Sequence, residues 1–109
     1  DISLNNSVGI SDDKINPINI NFISNFPNPF NQTTNIEYHL KKDSFVNIRI
    51  FDLKGTNIKL LLNVEQPFGY HRLSWNGTGD TGDNLPTGIY FLAIQADDFK
   101  VIKKMVMLK

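Results

Sequence analysis

From Thr33 onward the chain is a succession of short stretches in which apolar and polar side chains alternate. Between Thr33 and Leu40 the apolar positions are Ile36, Tyr38 and Leu40. Between Phe45 and Phe51 they are Val46, Ile48 and Ile50, with Asn47 and Arg49 facing the other way. A period of two sends successive side chains to opposite faces of a strand, so each stretch predicts a strand with one face in a core. Polar breaks separate them: Lys41-Lys42-Asp43, then Asp52-Leu53-Lys54-Gly55, where Gly55 is able to take positive φ. The next stretch is ambiguous, because Ile58, Leu61 and Leu62 also suit a helical spacing. Its short span before Asn63, Glu65 and Gln66 favours a strand in which Ile58, Leu60 and Leu62 share a face, since short helices are marginal. Phe68 to Trp75 predicts a fifth strand with His71, Leu73 and Trp75 in phase and Trp75 buried. Asn76 to Pro86 is a turn-rich loop, and Gly88 to Ala96 and Lys100 to Leu108 predict a hairpin across Asp97-Asp98.

About seven short strands with turns between them predict an all-β fold, an antiparallel sandwich. Composition agrees: Ala93 and Ala96 are the two alanines of the chain, and no helical pattern is long enough for a βαβ unit. Residues 1–20 differ. They are rich in Asn, Ser and Asp, contain Pro17 and no aromatic residue, and carry Asp1, Asp12, Asp13 and Lys14. They are expected to form a linker from a preceding domain, with residues 21–109 as the compact part. The start, Asp1-Ile2-Ser3-Leu4-Asn5, has no signal-peptide character, so the chain is expected to begin after any export signal or to be a fragment.

Charge narrows the function. Lys plus Arg is 11 and Asp plus Glu is 11. A balanced chain is not expected to bind nucleic acid, which favours a basic excess. With no cysteine and two histidines, neither thiolate chemistry nor a multi-histidine metal site is expected. No apolar run approaches the roughly 20 residues of a membrane span.

The stretch Asn25-Phe26-Pro27-Asn28-Pro29-Phe30-Asn31, followed by Thr33-Thr34-Asn35-Ile36, is unusual. Its two prolines fix two φ values and push Phe26 and Asn28 toward extended conformations. Phe26 and Phe30 then suit anchors for a kinked leading strand, while the residues alone favour a stiff edge-strand kink with no binding role. The stretch resembles the start of the type IX secretion system C-terminal sorting domain of Bacteroidota and related phyla. The resemblance continues in order through Val46 to Gly55, Gly69-Tyr70-His71 with Leu73 to Gly77, Leu85-Pro86-Thr87-Gly88-Ile89-Tyr90-Phe91, and Lys103-Lys104-Met105-Val106-Met107-Leu108-Lys109. It covers about Asn25 to Lys109, and the chain is also similar to the immunoglobulin-like domain of flagellar hook-capping proteins.

The resemblance implies an immunoglobulin-like sandwich acting as an address, with no catalysis and no cofactor of its own. It implies a covalently preceding cargo, recognition by an outer-membrane type IX translocon, and removal by a sortase-like peptidase cutting before Asn25. The destination would be the cell surface or medium, after transit through the periplasm. Gly88 and Tyr90 would set the start of the penultimate strand. Lys103, Lys104, Met105, Val106, Met107, Leu108 and Lys109 would present the recognition strand. From the residues alone that strand is either a sheet edge open to strand addition or the last strand of a sandwich with solvated lysines. An immunoglobulin-like spacer or interaction module is the alternative function, and a carbohydrate-binding module a weaker one.

Candidate chemistry is sparse. The loop around Asp80 and Asp83 is oxygen-rich enough to consider calcium, but it lacks the EF-hand order and a bidentate glutamate, and its residues are those that turns require. His71 and Ser74 fall on opposite faces of one strand, so no nucleophile–base pair is expected. Phe45, Phe51 and Phe91 fall out of phase with the predicted core. They are expected to be covered by loops or the leading segment; left bare, they would suit a glycan or a neighbouring domain.

Overall fold

The structure, a computed structural model, describes residues 20–109, with side chains from Ile23. Seven strands follow one another: β1 Ile20–Phe26, β2 Thr34–Leu40, β3 Ser44–Asp52, β4 Asn57–Gln66, β5 Gly69–Trp75, β6 Gly88–Ala96 and β7 Phe99–Met107. They build two antiparallel sheets, of order β1-β2-β5 and β4-β3-β6-β7. The fold is therefore the expected all-β sandwich. The linker expected over residues 1–20 lies outside the described residues except for Ile20, which opens β1.

Alternation builds the core. Thr34, Ile36, Tyr38 and Leu40 of β2 face Val46, Ile48 and Ile50 of β3, and all seven are fully buried. Leu92, Ile94 and Ala96 of β6 and Met105 and Met107 of β7 complete the four-stranded side. Trp75 closes one end, 1% exposed as expected, with its ring against Phe30 and Tyr90 and its Nε1–H donating to the Thr78 carbonyl at 2.9 Å.

β4 is a strand, but its faces differ from the period-two reading. Ile48 pairs with Leu62 while Arg49 pairs with Leu60, so Leu61 is an extra residue; a second shift leaves Ile58 extra between Lys59 and Asn57. Each bulge turns the following side chains to the other face. Ile58, Leu61 and Leu62 consequently pack on the core, and Leu60 is 40% exposed.

Candidate recognition edge

β7 is an edge of the four-stranded sheet, paired to β6 from Gly88–Met107 to Ala96–Phe99. In an antiparallel pair, alternate residues turn both backbone groups away from the neighbour. In β7 these are the even positions, and the second half of that edge is covered. Phe30 N–H donates to the Val106 carbonyl at 2.9 Å, and Leu108 N–H donates to the Phe30 carbonyl at 2.8 Å. Asn28 continues the row with its side chain. Its Oδ1 accepts from Val106 N–H at 3.0 Å and its Nδ2 donates to the Lys104 carbonyl at 3.3 Å.

The reason is local. Pro27 and Pro29 carry no N–H, so neither can donate to a neighbouring strand. The Asn28 amide supplies one donor and one acceptor in their place. Both Phe26–Pro27 and Asn28–Pro29 are cis. The segment is tied back to β2 by Thr34, whose hydroxyl donates to the Pro27 carbonyl at 3.0 Å. Of the two expected aromatic anchors, Phe30 alone serves: it is 1% exposed, whereas Phe26 is 40% exposed. Phe26 lies on the outer face beneath Arg72, whose guanidinium carbon is 5.5 Å from the ring centroid and which also pairs with Glu37 at 3.4 Å. The register pairs Asn25 with the buried Ile36, so Asn25 is the buried residue of this stretch and its neighbour Phe26 turns outward.

The residues expected to present the recognition strand divide between its faces. Met105 and Met107 are wholly inside, Lys103 and Val106 are half-buried, and Lys104, Leu108 and Lys109 are exposed. Lys109 N–H donates to Thr87 Oγ1 at 3.0 Å. Gly88 opens β6 as expected, and a Cβ there would make only ordinary contacts, the nearest 3.9 Å from Tyr90 Cε2. Tyr90 is buried against Trp75, and its hydroxyl donates to the Pro86 carbonyl at 2.6 Å. Burial first, and the Asp52 charge second, push its phenol above the ordinary value.

The outward aromatics are not covered as expected. Phe45 is 46% exposed. Phe51 and Phe91, cross-strand partners, line an open groove of about 400 Å³ with Leu53 and Ile102, bordered by Lys100, Asp52 and Gly55. Residues of the leading segment and of the 76–86 loop are not among its walls. They gather instead at the other end of β7, where Asn31, Gln32, Thr33, Asn76, Thr78, Asn84 and Lys109 line a polar hollow.

The acidic loop serves the fold. Asp80 Oδ1 accepts from Leu60 N–H at 3.0 Å, which holds the loop on β4 beside a bulge. Asp83 accepts from the Thr81 hydroxyl, and this bond first, then a backbone bond, holds its carboxyl below the usual value. Among the described residues no three His, Cys, Asp or Glu side chains stand together as a metal would need. His71 turns inward, stacked 5.5 Å from Tyr38, and its Nε2 is 2.7 Å from the Pro67 carbonyl. Ser74 turns outward and donates to Asn35 Oδ1 at 2.8 Å. No helix of the described residues is long and apolar enough to cross a membrane.

Sequence reasoning identified β7 and the Pro-Asn-Pro-Phe stretch but not that the one covers the other. The available signal was a lone amide between two residues without N–H groups.

Comparison with known proteins bears on both sheets. Dimeric latent PorU from Porphyromonas gingivalis contains a similar fold, with a TM-score of 0.66 and 20% identity over 79% of this chain and 9% of its own. FlgD from P. aeruginosa gives 0.55 and 23% over 68% of this chain and 60% of its own. PorZ, a surface component of the type-IX secretion system of P. gingivalis, gives 0.53 and 16% over 80% of this chain and 11% of its own. The chain thus spans a small part of PorU and PorZ, and at these identities the likeness is one of fold. No curated protein matches. A family model, the secretion system C-terminal sorting domain, matches residues 24–108, from the middle of β1 to just beyond β7, and the chain belongs to that family.

Proposed function

We propose that this chain is the address of a larger exported protein: a non-catalytic sorting signal that directs attached cargo through the type IX secretion system to the cell surface or medium. The observation that carries the reading is the family match over residues 24–108, nearly the whole sandwich. Its geometry supports an address. β7 is a sheet edge, and a sheet edge is a surface on which another chain can add a strand. The outer-membrane translocon is the partner in this reading, with Gly88, Tyr90 and Lys103 to Lys109 as the recognised end. A sortase-like peptidase then cuts in residues 1–20, which are polar and precede β1.

The test places residues 1–109 behind an exported fluorescent reporter, in a Bacteroidota host with the type IX translocon and in its translocon-null mutant. Reporter outside the cell only in the first host is the expected result. Reporter held in the periplasm of both strains would sink the reading and favour a second one, an immunoglobulin-like structural spacer. Likeness to FlgD, with 60% of that chain covered, supports the alternative.

A further inference from the structure

The covered half of β7 leaves the other half open. Alternation puts the N–H and C=O groups of Lys100 and Ile102, and the N–H of Lys104, on the edge that Asn28 and Phe30 occupy farther along. Among the described residues none bonds to these groups. The outer face beside them is apolar and basic. Ile102 is 61% exposed and forms one wall of the groove with Phe51, Phe91 and Leu53, while Lys100 borders it and Lys104 is exposed across from Phe91. Arg49 lies two strands in from β7, across from Ala93 of β6.

Carboxylates nearby are already engaged or stand off the stretch. Asp52 Oδ1 accepts from the N–H groups of Lys54 and Thr56, both at 2.9 Å, and Asp97 Oδ1 accepts from Phe45 N–H at 3.0 Å. Asp98 belongs to the turn before Phe99. No acidic side chain occurs from Phe99 to Lys109.

We propose that the open stretch Lys100–Lys104 is a docking edge for an extended peptide segment that carries two acidic side chains four residues apart with an apolar one midway, so that all three share one face. The segment adds a strand to β7, with its two acidic side chains beside Lys100 and Lys104 and its apolar one against Ile102 at the mouth of the groove. Charge selects this occupant over a second copy of the chain. Antiparallel self-pairing across the whole open stretch sets Lys100 opposite Lys104, and like charges directly opposed destabilise a pair. The same two lysines that repel a copy attract carboxylates. Within the export reading, on which the biological part of this inference rests, the segment belongs to the machinery that recognises the domain.

The test is amide hydrogen exchange on residues 1–109, with the blocked peptide Ser-Glu-Ser-Val-Ser-Glu-Ser, whose two Glu and one Val share a face, and its counterpart with Lys for Glu as probes. The glutamate peptide is expected to slow exchange at Lys100, Ile102 and Lys104 N–H about tenfold more than the lysine peptide. The exposed double variant K100E/K104E is expected to reverse that preference. Equal effects of both peptides, protection confined to β1 or β4, or no protection would overturn the proposal. Protection already present in the free chain, or rising with its concentration, would assign the edge to the chain itself or to a second copy, and would overturn it equally. In the reporter host, translocon-dependent export that K100E/K104E leaves unchanged would overturn this inference alone; absence of export from the parent would overturn the export reading and leave the peptide result standing.

Discussion

Gly77 and Gly88 both belong to the family-like stretches, yet their backbones make opposite demands. At Gly77 φ is +78° and a Cβ would come 2.8 Å from Met107 Sδ, inside the core. Gly77→Ala is expected to lower stability by more than about 1 kcal/mol, seen as a fall in the urea midpoint. At Gly88 there is space and no positive φ. Gly88→Ala is expected to shift stability by less than about 1 kcal/mol in either direction. If that variant keeps its midpoint but loses export, the glycine is read by the receptor rather than needed by the fold. Tyr38 makes a third residue-level case. Burial pushes its phenol up to about 12 from 10, against a smaller lowering by its bond to Gln66. The folded chain therefore holds the phenolic proton more tightly than the unfolded one. The stability this contributes is full below pH 10 and is lost as pH rises through 12. Alkaline unfolding followed by circular dichroism should show that fall in the parent and a shallower one in Tyr38→Phe.

Among the elements, legibility followed the regularity of the backbone. β2 and β3 were readable to the residue, because a buried face on a straight strand forces strict alternation: Ile36, Tyr38 and Leu40, then Val46, Ile48 and Ile50, are all inside. β4 was not, because its two bulges are fixed by pairing with β3 and by Asp80 reaching Leu60 N–H, contacts that its own pattern does not encode. The recognition edge was half readable. Lysines flanking an apolar terminal stretch pointed to a sheet edge, but the partner of its second half comes from 78 residues earlier, through a side chain imitating a backbone. Removing that imitation has a measurable result. Asn28→Ala is expected to cost about 1 kcal/mol for the bonds lost. It should also speed hydrogen exchange at Val106 N–H while leaving the N–H groups of β3 unaffected. Unchanged exchange at Val106 would mean that the amide does not cover the edge.

The whole molecule is held together from both ends of the described chain. Phe30, Trp75, Tyr90 and Met107 meet in one core although they come from the leading segment, β5, β6 and β7. A chain ending at Asp98 loses Met105 and Met107 from that core and the partner of Phe30 with them. It is expected to be digested by a nonspecific protease at least about tenfold faster than the full chain, as cavity loss of several kcal/mol requires. Equal resistance would mean that β7 is an appendage and not a closing strand. The clasp between Asn28 and Val106 also has a consequence for timing. During synthesis, the residues that complete the sandwich emerge after all six other strands. A partly made chain leaves β6 as the rim and has no Lys100–Lys104 edge at all. The feature proposed for docking thus comes into being only with the finished fold, so any receptor that reads it also reads that translation and folding of this domain are complete.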